Sequence, residues 1–507
     1  MTHPRKHLFF LLLLVGGAFI TPGCKTGLMG DENLQLAPET YTVVDTIMRS
    51  GSNRLSSQVA INWWGTDPDG YVVTYEISFD NISWTKVQVM DSVFTLSLAP
   101  GADTGDFRFY VRAVDNSGLT DPSPASLLYP VKNSTPSVTF IFSTGTAQSF
   151  SRNPVRTFPV LKYSWDGEDP DGEANLSGFE LVWNDTAAIP YLLGKTVSSA
   201  TFIGVDMTAS VTEAEVYPNN DANPAPLRIQ GMRLNADNVL YIRSVDLVGA
   251  KSAYVAASTV FIKKPVSDIL LVNAVDISNP ERNNIQAFYA SALIGQGKII
   301  FDTLQASQIQ NFNYSELSPD ATTQSRIFHN NRFGFKKILW FGDVADFSLF
   351  LAQKSTADFF NNGGKMLMAL DISTPIDERS AAFDFTPVKE LVNPGTGVNL
   401  WLKLNAQVNP MLAGYPVLVS TTTVTTARPF ETANSATDTI TPMYTAELTK
   451  QPGNIPWTGT SVVMAKRASR TTLKTNFIIS SLPLEVLNGN GNINQLFQKL
   501  LIDELEF

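Results

Sequence analysis

The chain has 507 residues, 44% of them hydrophobic and only 17% charged, which is more than one core usually supports, so two to four domains are expected. Its 37 Lys and Arg face 47 Asp and Glu, a net charge of −10, and such a field disfavours nucleic acid and anionic membrane surfaces as partners. One cysteine and three histidines exclude a disulfide framework and argue against a histidine-based zinc site.

The N-terminus carries basic Arg5 and Lys6, the apolar run Leu8 to Ile20, and then Thr21-Pro22-Gly23-Cys24. An apolar run of about 7–15 residues serves export but is too short to span a bilayer stably. The segment resembles a bacterial lipoprotein signal. That resemblance implies removal of residues 1–23 and attachment of acyl chains such as palmitate at Cys24, where each buried methylene contributes about 0.8 kcal/mol to anchoring. Without Arg5 and Lys6, 35 basic residues face 47 acidic ones, a net charge of −12. Lys25 follows the cysteine in place of the aspartate that retains many lipoproteins in an inner membrane, so an outer-membrane lipoprotein is expected, its periplasmic or surface face left open. Residues 24–38 read as a lipidated tether.

From Tyr41 apolar and polar residues alternate between turns, as in an antiparallel sandwich. Val59, Ile61 and Trp63 share one face, and Asp67-Pro68-Asp69-Gly70 turns the chain into the strand Tyr71, Val73, Tyr75 and Ile77. Phe107, Phe109, Val111 and Ala113 again repeat at period two. A second copy follows: Trp63 to Gly70 aligns with Trp165 to Gly172 at an offset of 102, and Tyr110 to Asp115 with Tyr241 to Asp246 at an offset of 131. The second copy therefore holds an insertion of about 29 residues, and Tyr217 to Pro226 within it reads as a protruding loop. The strand-B tryptophans Trp63 and Trp165, an aromatic strand C and the run Val111 to Gly118 resemble fibronectin type III or related Ig-like modules. The resemblance implies two all-β sandwiches, residues 39–132 and 133–265, with Phe107 and Asn238 standing where the family has a corner tyrosine.

After Pro265 the pattern changes. Ile269 to Asp276 is a continuous apolar run of the kind buried parallel strands need, followed by a helix over Asn284 to Leu293. Strands are expected at Lys298 to Asp302, Lys337 to Asp343, Gly364 to Asp371, Val462 to Ala465 and Asn476 to Ser480. Helices are expected up to Phe360 and over Ile493 to Glu504. Such alternation predicts an α/β doubly wound parallel-sheet domain over 266–507, interrupted by an insertion at about 372–460. The segments 269–276, 337–343 and 359–371 and the terminal strand leading into a helix resemble the class I glutamine amidotransferase-like, flavodoxin-like superfamily.

In that superfamily the nucleophile follows the strand after a Gly-Gly pair and is a cysteine. Here the position reads Asp371-Ile372-Ser373, and no mature cysteine exists. A serine hydrolase would need Ser373 with His329, the one histidine beyond the leader. Asp276, Asp343 and Asp371 each end an expected strand: they either cap helices or converge on a ligand, Mg²⁺ or Ca²⁺. Asp67, Asp69, Asp169 and Asp171 either build turns or bind calcium. Trp64, out of phase with core-facing Trp63, is a candidate sugar contact. Trp84 and Trp183 could also stack on sugars. The expected function is a non-enzymatic, lipid-anchored structural or interaction module of an envelope assembly, with no resident cofactor and a protein or glycan partner. The alternatives are a glycan-binding accessory lipoprotein of polysaccharide uptake and a hydrolase using carboxylates or Ser373.

Overall fold

The computed structural model describes residues 35–44, 58–96, 98, 104–141, 153–310, 313, 314, 316–318, 320–376, 381–469 and 472–507. Cys24, the leader and most of the tether lie outside the described residues. Among the described residues, no helix is long and apolar enough to cross a membrane. The chain divides into two compact units, the first holding the described residues of 35–44, 59–94 and 106–130 and the second chiefly residues 131–507.

In the first unit β1 (Glu39–Val44), β2 (Gln58–Thr66), β3 (Val72–Ser78), β4 (Thr85–Val87), β5 (Asp91–Thr95), β6 (Thr104–Asp115) and β7 (Ala125–Lys132) form two sheets, ordered β1-β2-β5 and β4-β3-β6-β7. Period-two alternation on β2 and β6 brings Ile61, Trp63, Phe109, Val111 and Ala113 into the core, where Trp63 and Phe109 lie 5.6 Å apart. On β3 the expected phase breaks. A bulge between Val72 and Thr74 leaves Tyr71 and Val73 64% and 51% exposed while Tyr75 is buried, because one extra residue reverses which side chains face inward.

The second unit opens with another sandwich: β8 (Ser137–Phe140), β9 (Arg156–Thr157), β10 (Val160–Glu168), β11 (Leu176–Trp183), β12 (Tyr191–Gly194), β13 (Ser199–Gly204), β14 (Val211–Pro218), β15 (Arg228–Arg233), β16 (Ala236–Asn238), β17 (Leu240–Asp246), β18 (Val255–Ala256) and β19 (Val260–Ile262). Its main sheets run β15-β14-β13-β10-β8 and β12-β11-β17-β18, closing over Trp165 and Trp183. The insertion is the β14–β15 hairpin, which extends the sheet carrying Trp165. Asn238, at the corner position, is buried and ties the chain through hydrogen bonds with Arg233 and Ala236 of 2.8–2.9 Å.

The rest of this unit has β20 (Ile269–Asn273), β21 (Asp302–Gln305), β22 (Gln308–Gln310), β23 (Asn313–Tyr314), β24 (Lys337–Gly342), β25 (Lys365–Leu370), β26 (Val388–Leu391), β27 (Asn399–Leu402), β28 (Gln407–Pro410), β29 (Leu418–Val419), β30 (Phe430–Thr432), β31 (Asp438–Ala446), β32 (Leu448–Gln451), β33 (Ile455–Pro456), β34 (Val462–Ser469) and β35 (Thr475–Ser480). The helices are α1 (Arg282–Gly295), α2 (Ala321–Phe328), α3 (Ala345–Ser355), α4 (Ala357–Asn361) and α5 (Ile493–Phe497), the last continued by a π-helical turn over Gln498–Glu504. The main sheet is ordered β21-β20-β24-β25-β35-β34-β31-β28-β29. Its first five strands are parallel, with α2, α3 and α4 packed on one face and α1 and α5 on the other.

The expected parallel sheet is thus found only in part, because four antiparallel strands extend it. The insertion supplies β28, β29 and β31 to this wing and folds its remaining strands into the β26–β30 ribbon and the small sheet β27-β32-β33. The strand expected at Lys298 to Asp302 instead begins at Asp302. Ile299 and Ile300 are exposed, and the Asp302 carboxylate accepts the Val266 and Ser267 amides at 2.9 Å.

The second sandwich and the parallel sheet share one core. Phe158, Val160, Ile203 and Tyr217 join Leu317, Ile327 and Phe335 in a single buried cluster, with Phe158 and Phe335 edge to face at 5.2 Å. The loop expected to protrude is exposed from Asn219 to Pro224, and its base is braced: Arg326 lies 4.0 Å from the Tyr217 ring and donates to the Asp221 carbonyl at 2.9 Å. Beside it Arg332 Nε donates to Glu215 at 2.9 Å.

Candidate functional site

Parallel strands deliver their C-terminal residues to one edge of the sheet, where open α/β folds bind ligands. A cavity of about 140 Å³ lies there, walled by Asp343 after β24, Asp371 after β25 and Glu485 after β35, with Asn279, Tyr289 and Phe341. Asp343 is held in place by the backbone N–H of Asp276 at 2.6 Å and Asn279 Nδ2 at 2.7 Å. Tyr289, stacked on Phe341 at 4.4 Å, donates its hydroxyl to Glu485 at 2.8 Å and accepts the Leu484 amide at 3.2 Å.

Burial, and then the Asp343 charge, raises Asp371 above its usual proton affinity. Burial likewise raises Glu485, with the Asp371 and Asp343 charges adding to it against the Tyr289 hydrogen bond. Tyr289 is pushed well above its usual range, by burial first and then by Glu485. Two acids biased towards protonation beside a fixed carboxylate can exchange protons or grip a small hydrogen-bonding group.

Asp276 does not join the cavity. Its carboxylate accepts the Ser278 amide and hydroxyl at 2.7 and 2.6 Å, which hold it below the usual range. It closes a local turn onto Ser278 and does not cap the helix α1, whose N-cap position is Glu281, whereas Asp343 and Asp371 do come together. Glu485 and Tyr289 were not picked out from sequence. An acid five residues beyond an apolar parallel strand was the available signal for Glu485, and Tyr289 carries none beyond its helical phase. No group of three or more His, Cys, Asp or Glu is arranged to hold a metal ion among the described residues.

Ser373 and His329 are not brought together. His329 bridges to Gly334, just before β24 begins, whereas Ser373 lies three residues beyond the end of β25, which pairs with β24 in parallel register. Six residues at about 3.3 Å each put roughly 20 Å of strand between them.

The two Asp-Pro-Asp-Gly turns clamp the chain entering their own sandwiches. Asp69 accepts the Leu36 amide at 3.1 Å, and Asp171 accepts the Ser134 amide and hydroxyl at 2.6 and 3.0 Å. Asp67 and Asp169 accept the amides of Asp69 and Asp171 within the turns. Gly172 has φ 105°, but Gly70 has no positive φ. There a Cβ would sit 2.2 Å from the Asn116 side chain, so glycine is needed for close approach. Trp64 is 45% exposed, with Tyr41 stacked against it at 5.6 Å, so one ring face is already covered. Trp183 is core, and Arg112 lies 4.0 Å over Trp84.

No family model and no curated protein matches the sequence. Among solved structures, it is similar to the fibronectin(III)-like modules of Clostridium thermocellum CbhA at 13% identity, over 44% of this chain and 94% of that one, with a TM-score of 0.15. A two-domain fibronectin type III segment of chicken tenascin matches at 10% identity over 44% of this chain and 98% of that one, with a TM-score of 0.21. Bacillus thuringiensis chitinase ChiA74 matches at 16% identity over 43% of this chain and 28% of that one, with a TM-score of 0.14. The sandwich architecture itself rests on the strand order described above.

Proposed function

We propose that this chain is a non-enzymatic, lipid-anchored outer-membrane protein that acts as a structural or interaction module in a cell-envelope assembly. Acyl chains on Cys24 hold it to the membrane, the first sandwich adds reach, and the second unit carries the recognition surfaces. In this reading the α/β part is a degenerate member of the amidotransferase-like superfamily. The observation that carries the proposal is the strand-end cavity: none of its lining residues is a cysteine, histidine or serine. Its volume of about 140 Å³ also falls below the roughly 300–1,000 Å³ of ordinary ligand pockets. A carboxylate-based hydrolase is the second reading, favoured by one observation, the convergence of Asp343, Asp371 and Glu485 on one cavity.

Palmitate labelling and membrane fractionation of the wild type and Cys24→Ala test the anchor. Label on the wild type alone and release of the variant are expected. Retention of the variant with an unlabelled wild type would refute lipidation. Crosslinking in native membranes, followed by purification, tests the assembly: a reproducible envelope partner is expected, and recovery of the protein alone would sink this half of the proposal.

A further inference from the structure

We propose that an open cleft in the insertion, between the small sheet β27-β32-β33 and the antiparallel wing of the main sheet, binds a neutral saccharide. The cleft measures about 630 Å³, within the range of small-molecule sites, and shares no residue with the strand-end cavity. Its wall combines Lys403, Asn405, Asn409, Glu447, Thr449 and Trp457. One cation and one carboxylate cancel, so the site has no net charge to select an anion or a cation.

Hydrogen-bonding capacity is left over here. The side chains of Asn405 and Thr449 form no hydrogen bond among the described residues, and Glu447 accepts only the Gln407 amide at 3.2 Å and Asn409 Nδ2 at 3.5 Å. Amides, a hydroxyl and a carboxylate together offer both donors and acceptors. Trp457 is fixed against them: its indole N–H donates to the Thr460 carbonyl at 2.8 Å, its backbone N–H donates to Leu448 at 2.8 Å, and Lys450 lies 4.9 Å from the ring. A rigid indole beside a polar wall suits an uncharged ligand with apolar C–H surfaces rimmed by hydroxyls, which is a sugar.

The inference rests on the non-catalytic reading in one respect, that the ligand is released unchanged. The test is calorimetric titration of the full mature chain with maltohexaose, cellohexaose, xylohexaose, mannohexaose and a sulfated hexasaccharide, followed by chromatography of the recovered sugar. At least one neutral hexasaccharide is expected to bind. Trp457→Ala should weaken it about tenfold or more, and exposed Asn405→Gly, which tolerates the φ of 64° at this position, should weaken it about threefold with unchanged circular dichroism. Binding of no neutral sugar, binding of the sulfated one alone, or binding untouched by Asn405→Gly would overturn the assignment. A shortened product would support the ligand class and overturn the non-catalytic reading.

Discussion

Glu316→Gln tests whether the second sandwich and the parallel sheet are joined by a buried charge pair. Lys263, at the sequence junction between them, donates from Nζ to Glu316 Oε2 and to the Thr303 carbonyl, both at 2.6 Å, and lies 4.2 Å from the Phe158 ring. The two side chains are 8% and 10% exposed, so screening by water is slight. Burial pulls the Lys263 ammonium below its usual proton affinity, and Glu316 partly offsets this. Glutamine keeps an acceptor for the Gln305 amide, 2.9 Å away, but removes the charge, and stranding one buried ion costs about 3–5 kcal/mol. The assay is urea denaturation followed by fluorescence, with Trp165, Trp183 and Trp340 reporting on the second unit. A lysine with depressed proton affinity binds fewer protons folded than unfolded, so the variant should regain stability relative to wild type as pH rises towards the unfolded lysine value. A cost below about 1 kcal/mol, or a deficit that does not shrink in alkali, would refute the buried pair.

Asp371→Asn should raise stability at neutral pH. A carboxyl whose folded proton affinity is raised contributes stability below its unfolded pKa and loses it as pH rises through the folded value. The gain should therefore fade as pH drops towards the ordinary aspartate value of 3.8, and thermal melts at two pH values read it. Trp165→Ala, at a fully buried ring, should cost about 3–5 kcal/mol by cavity formation, whereas Trp64→Ala should cost under about 1 kcal/mol. Equal losses would show that the alternation on these two strands had been assigned to the wrong face.

Much of the candidate site was legible in the strands that build it. Leu339 to Phe341 and Met366 to Ala369 are apolar without alternation because both faces of these strands are covered, and the aspartates that follow them fall at the ligand edge. Asp276 looked equivalent, but β20 already ends at Asn273, and the Ser278 amide and hydroxyl take up the carboxylate locally. Glu485 was missed because its approach depends on β35 lying next to β25, across an insertion of nearly ninety residues. The wing strands of that insertion pair over long separations, and their short polar segments carry little periodicity.

Local sequence determined the features that depend on neighbours along the chain: alternation on β2 and β10, unbroken apolar runs in the central parallel strands, and the repeated turns. Tertiary structure alone decided which strand lies beside which. It braced the base of the second-copy insertion against Arg326, merged the second sandwich and the parallel sheet into one core, and separated Ser373 from His329. The physical reason is that pairing and packing energies are set by contacts between residues far apart in sequence, which a local pattern constrains only through the face it presents.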